Sequence, residues 1–90
     1  MKYVLKQKAI YYNNLGVRYL ARGWNNKAII EFTKAIELSG ELSGEGYLLS
    51  HLYKNRGLAY KRTGNDDNAF EDFDKASKLL LMNRRIINGK

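Results

Sequence analysis

The sequence predicts an all-α fold of two antiparallel helix pairs. Three observations carry this. A residue pattern recurs at one fixed offset, the apolar residues of each copy fall at three-to-four spacing, and the chain contains no proline. The segment Tyr12-Asn13-Asn14-Leu15-Gly16-Val17-Arg18-Tyr19 overlies Tyr53-Lys54-Asn55-Arg56-Gly57-Leu58-Ala59-Tyr60, with Tyr, Asn, Gly and Tyr in register at an offset of 41. The same offset carries Gly23 to Gly64, Asn25 to Asp66, Ala28 to Ala69, Phe32 to Phe73, Lys34 to Lys75 and Ala35 to Ala76. Repetition at a period of this size is the signature of stacked supersecondary units. Without proline, helices must be broken by glycine and asparagine.

The first helix is expected from about Lys2 or Ala9 to Ala21, with Tyr12, Leu15, Gly16 and Tyr19 on one stripe. Gly23 ends it, because glycine takes the left-handed conformation of a helix C-terminus at low cost. Asn25 is the expected cap of a second helix running to about Leu38. Its inner stripe is Ala28, Phe32, Ala35 and Ile36, flanked by Ile29. A third helix, from about Tyr47 to Arg62, carries Leu49, Tyr53, Gly57 and Tyr60. Gly64 stops it, Asn65 or Asp66 caps the fourth, and Ala69, Phe73, Ala76 and Leu80 form the last stripe. Glycine within a helix costs roughly 0.5–1 kcal/mol relative to alanine. Its recurrence at Gly16 and Gly57 therefore points to close approach of the partner helix in each unit.

This pattern resembles the tetratricopeptide repeat family. The first unit shows its small and aromatic signature as Tyr12, Leu15, Gly16, Tyr19, Gly23, Ala28, Phe32 and Ala35. The second shows it as Tyr53, Gly57, Tyr60, Gly64, Ala69, Phe73 and Ala76. The resemblance covers roughly Ala9 to Leu81 and implies a short right-handed α-solenoid of about four to five helices. Three departures stand out. Arg56 occupies a position where the family usually has Leu. Gly40 and Leu81 stand in place of the closing proline. The offset of 41 exceeds the family's repeat of about 34 residues, an insertion of about seven. The three glycines of Gly40-Glu41-Leu42-Ser43-Gly44-Glu45-Gly46 mark a loop as the place of that insertion, unless the loop is short and part of the stretch lengthens the second or third helix instead. The expected layout is one domain over 1–90, with repeat one at about 9–39, the loop at about 40–46, repeat two at about 47–81 and a tail at 82–90.

A chain of 90 residues is long enough for one such core and too short for a deep catalytic cleft with its support. The absence of cysteine excludes disulfides, thiolate catalysis and cysteine-ligated zinc. A single histidine, His51, makes a histidine-based metal site within one chain a poor reading. His51 adjoins Ser50, but neighbours on a helix point about 100° apart, so the two do not simply share a proton. Glu71, Asp72 and Asp74 read as a solvated helix face, since a metal site needs carboxylates converging from several directions. No Gly-Lys-Ser/Thr follows Gly40, Gly44 and Gly46, so no phosphate loop is indicated. The chain reads as a non-enzyme without cofactor or metal. No apolar run approaches signal-peptide or membrane-spanning length, and a cytoplasmic location is expected.

The net charge is +7, which suits an acidic partner. Nucleic acid is the second reading, set against acids interspersed with the basic residues and the lack of a helix-turn-helix or RNA-binding motif. The family resemblance implies that the first helix of each unit lines a concave face. Its exposed positions would be Ile10, Asn13, Asn14, Val17 and Leu20 in unit one, and His51, Lys54, Asn55, Leu58 and Lys61 in unit two. The carboxamides can donate and accept toward a peptide backbone, while His51, Lys54 and Lys61 supply positive charge. The expected function is a protein-protein interaction module binding a peptide or protein surface, with an acidic or C-terminal carboxylate end favoured. Some members of the family grip chaperone tails with a Lys/Asn clamp. Here only Asn55 fits that pattern, with Asn13 and Val17 at the clamp's first-unit positions, so chaperone-tail binding is not indicated.

The ends raise a third class, a self-assembling unit. Repeat arrays usually need about three units and a polar cap, whereas Phe70, Leu79 and Leu80 leave the last helix with an apolar flank. Three dispositions of the tail from Lys78 to Ile87 are open: folding back, with Ile86 and Ile87 over the flank, docking on another chain, or prolonging the helix. A homodimer is expected, through this flank, through helix exchange about Gly40–Gly46, or through Tyr3-Val4-Leu5.

Overall fold

The computed structural model describes residues 2–40, 42 and 44–89, with side chains described from Tyr3 to Met82 apart from Glu41 and Ser43. Among the described residues the chain forms four helices and no strand: α1 (Lys2–Ala21), α2 (Asn25–Ser39), α3 (Gly46–Arg62) and α4 (Asp66–Gly89). The first helix thus begins at the earlier of its two expected starts. Of the dispositions open to the tail, the structure takes prolongation, since α4 continues to Gly89. The side chains of Ile86 and Ile87 lie outside the described residues.

Both units close their first helix in the same way. Gly23 and Gly64 sit at φ +79° and +83°, a conformation that glycine adopts without a Cβ penalty. The left-handed residue turns the chain so that the Trp24 amide donates to the Tyr19 carbonyl at 2.9 Å and the Asn65 amide to the Tyr60 carbonyl at 3.0 Å. These six-to-one bonds satisfy carbonyls that the helix end would otherwise leave open. The starts of α2 and α4 differ. Asn65 Oδ1 accepts from the Asn68 amide at 3.3 Å, a side-chain cap. The expected cap Asn25 is instead the first residue of α2; Trp24 precedes it, and no side chain caps the helix. The Asn25 carboxamide oxygen is buried without a partner.

Close approach explains the two helical glycines. A Cβ on Gly16 would lie 2.6–2.9 Å from three atoms of the Phe32 ring. On Gly57 it would lie 2.9 and 3.0 Å from Phe73 and 3.2 Å from the Ala69 carbonyl oxygen. α1 packs on α2 and α3 on α4 through these contacts.

The core is shared between the units. Leu52 of α3 is buried with Ala9, Ala35 and Ile36, under Tyr12, Leu48 and Tyr53. Ala59 of α3 is buried with Leu20, Ala28 and Phe32, beside Tyr19 and Ile29. Leu20 was expected on the exposed concave face. It belongs to this second cluster because it lies where α1, α2 and α3 converge. The segment joining the units is also anchored, since Leu42 is buried.

Candidate functional site

α1 and α3 touch each other directly, whereas α2 and α4 do not, and α3 packs against both α2 and α4. Neighbours on the inside of a curved stack draw together and those outside splay apart. This puts α1 and α3 on the inner side. The inner pair is pinned by two polar contacts. Asn55 Nδ2 donates to Asn13 Oδ1 at 2.9 Å, and Arg62 Nη1 donates to the Leu20 carbonyl at 3.2 Å.

Of the eight candidate positions, Asn14, Val17, His51, Lys54, Leu58 and Lys61 are exposed, while Asn13 and Asn55 are half-buried. The carboxamides of Asn13 and Asn55 are partly engaged with one another, which orients them but removes one acceptor and one donor from any ligand. Asn14, the residue equivalent to Asn55 across the offset, is the freer of the pair. Lys54 and Lys61 border clefts that open toward α4. Lys54 shares one with Phe73, Ser77 and Leu80, and Lys61 shares another with Asp66, Phe70 and Phe73. Ser50 and His51 diverge as helix geometry requires. Ser50 is buried and its hydroxyl donates to the Ala76 carbonyl at 2.9 Å, while His51 faces solvent.

Charge is segregated by helix. All nine acids of the chain lie outside α1 and α3, while these two helices hold eight of the sixteen basic residues: Lys2, Lys6, Lys8 and Arg18, then Lys54, Arg56, Lys61 and Arg62. The expected interspersion of acids and bases holds on α2, where Lys27, Glu31, Lys34 and Glu37 alternate, and fails on the inner pair and on α4, whose acids all precede its bases.

One polar feature escaped sequence reasoning. Asp72 is not part of a solvated face. It is 3% exposed and accepts two bonds from Arg56, Nε to Oδ2 and Nη2 to Oδ1, both 2.8 Å. Arg56 Nη1 also reaches Thr33 Oγ1 of α2 at 3.3 Å, and its Cζ lies 5.5 and 5.6 Å from the ring centres of Tyr53 and Tyr60. Asp72 holds the Arg56 guanidinium above its ordinary range, against the opposing effect of burial. The departure at Arg56 is therefore coupled to Asp72, and it joins three helices. A signal was present: across the offset an acid stands at both Glu31 and Asp72, while Leu15 gives way to Arg56, so only the second unit gains a basic partner for it.

Among the described residues no group of three or more His, Cys, Asp or Glu could hold a metal ion. No described helix is long and apolar enough to cross a membrane.

Comparison with known proteins agrees with this geometry. The family model for the tetratricopeptide repeat matches residues 9–41 and 50–79, the two helix pairs. The chain is 33% identical over 76 residues to the human protein named tetratricopeptide repeat protein 36, covering 84% of this chain and 39% of that protein. It thus spans about two fifths of that relative's length. No solved structure matches the chain significantly. The family is generally a protein-protein interaction module. Two matched repeats, each with its own glycine-aromatic contact and left-handed helix stop, leave one assignment: this chain belongs to the tetratricopeptide repeat family.

Proposed function

We propose that the chain is a non-enzymatic interaction module that binds an extended, acidic segment of a partner protein across α1 and α3. The observation that carries this reading is the segregation of charge: the inner helices contain basic residues and no acid, and although Lys6 pairs with Glu45 and Arg56 with Asp72 from other segments, Lys54 and Lys61 stay exposed. Lys54, Lys61 and His51 would meet carboxylates, Val17 and Leu58 would take apolar side chains, and Asn14 would bond the peptide backbone. The family's general role supports a protein partner. The lack of cysteine suits work in the reducing cytoplasm.

The test is fluorescence anisotropy with a labelled acidic peptide at several salt concentrations. Binding should weaken with salt, and the double substitution Lys54→Glu, Lys61→Glu should weaken it by about tenfold or more, since each exposed ion pair contributes up to roughly 1 kcal/mol and reversal adds repulsion. Asn14→Ala should weaken it further. If a single-stranded or duplex nucleic acid binds with a steep salt slope and the two lysine substitutions leave the peptide unaffected, the basic helices serve nucleic acid instead.

A further inference from the structure

We propose that two copies of the chain associate through the open flank of α4, with the two α4 helices antiparallel. The offset of 41 provides an internal control for that flank. Phe32 of the first unit is fully buried, while its counterpart Phe73 is half-buried. Ile36 is buried and its counterpart Ser77 is exposed; Ser39 is buried and its counterpart Leu80 is half-buried. In the first unit α3 covers this face. In the second nothing described covers it, and Phe70 is 71% exposed beside it. Phe70, Phe73, Ser77 and Leu80 recur at three-to-four spacing, which forms one stripe along the helix.

Charge selects the occupant. Along α4, Asp66, Asp67, Glu71 and Asp74 precede Lys75, Lys78, Arg84 and Arg85, and no acid follows Asp74 in the chain; the buried Asp72 is taken up by Arg56, and Asp74 pairs with Lys78 on its own helix. An antiparallel pair lays the acidic half of each copy over the basic half of the other, and brings Phe70 of one copy toward Leu80 of the other. A parallel pair sets like charge on like. Head-to-tail stacking, in which α1 of a second copy would take the place that α3 holds on α2, is opposed twice. Where α3 presents the buried Leu52 and Ala59, α1 presents the exposed Tyr11 and Arg18. α1 also carries four basic residues and no acid, against a flank bordered by Lys54 and Lys61. The favoured contact is therefore isologous, the same surface on both copies.

The experiment is sedimentation equilibrium of the full chain at low and high salt, with circular dichroism of every variant. The wild-type chain should dimerise at high micromolar concentration. Phe70→Glu should raise the dimer dissociation constant on the order of tenfold or more without loss of helix, because Phe70 touches little of its own fold. Asp66→Lys with Asp67→Lys should weaken self-association, as should Arg84→Glu with Arg85→Glu. An equimolar mixture of these two charge-reversed chains should form a heterodimer, a rescue that separates loss of pairing from loss of folding. A wild-type chain that stays monomeric overturns the proposal. So does a dimer indifferent to Phe70→Glu, or one that the Asp66 and Asp67 reversal does not weaken, as a parallel pair or helix exchange would give.

Discussion

Replacing Gly16 by alanine should destabilise the fold, although alanine is the better helix former. By helix propensity alone the change would stabilise by about 0.5–1 kcal/mol. Against this stands the new methyl carbon, 2.6 Å from Phe32 Cε1, with two further ring atoms inside 3.0 Å. Phe32 is fully buried among Leu20, Ala28 and Ala59, so its ring has no space to retreat into. Overpacking of this kind typically costs about 1–3 kcal/mol, which leaves a net loss of up to about 2.5 kcal/mol after the propensity gain. For a domain of this size each kcal/mol lost is a fall in Tm of about 4–8 °C. Gly57→Ala is the matched control. Its contacts begin at 2.9 Å, and the half-buried Phe73 can swing toward solvent. It should cost less, close to zero net. Urea and thermal melts followed by circular dichroism read both. If Gly16→Ala melts at or above the wild-type temperature, or if the two variants lose equal stability, the close-approach account of these glycines fails.

The Arg56–Asp72 pair makes a sharper contrast. Arg56→Leu leaves a carboxylate buried with its partner gone and should cost about 3–5 kcal/mol, whereas Arg56→Leu combined with Asp72→Leu should recover most of that loss; a double-mutant cycle in urea measures it, and strict additivity would show that the two residues are not coupled. Asn65→Ala should cost about 0.5–1 kcal/mol through the lost cap, at the lower end because the bond is long and exposed. Asn25→Ala should be neutral or mildly stabilising, since its buried oxygen has no partner to lose; comparable losses at both sites, read from the same melts, would contradict the different helix starts.

Much of the fold was legible because the same constraint acts twice at a fixed separation. A glycine facing a phenylalanine, and a glycine at the helix end, leave marks that survive divergence of the surrounding residues. Partner choice was not legible in that way. Asp72 sits between Glu71 and Asp74, and the one mark in the sequence of its inward turn is the exchange of Leu15 for Arg56 across the offset. Leu20 follows the concave spacing of Asn13 and Val17, yet the convergence of three helices buries it. Asn13 and Asn55 read separately as ligand contacts, while their mutual bond depends on how closely α1 and α3 approach, a distance that no local pattern encodes. The candidate face was legible as a list of positions. Its uniform charge emerged only once the helix limits were drawn.

Neither core cluster belongs to one unit. Leu52 completes the cluster of Ala9, Ala35 and Ile36, and Ala59 completes that of Leu20, Ala28 and Phe32. The first helix pair therefore has no finished interior until α3 docks, and Arg56 adds a polar tie from α3 to both α2 and α4. In a chain of nearest-neighbour units, such sharing moves free energy from the units into their junction. Melting should then be all-or-none across both pairs, with no state in which one repeat persists after the other is lost. A segment ending at Gly40 should remain unfolded in isolation. Such a junction tolerates added length in the linker between the pairs far more readily than the exchange of one repeat for another.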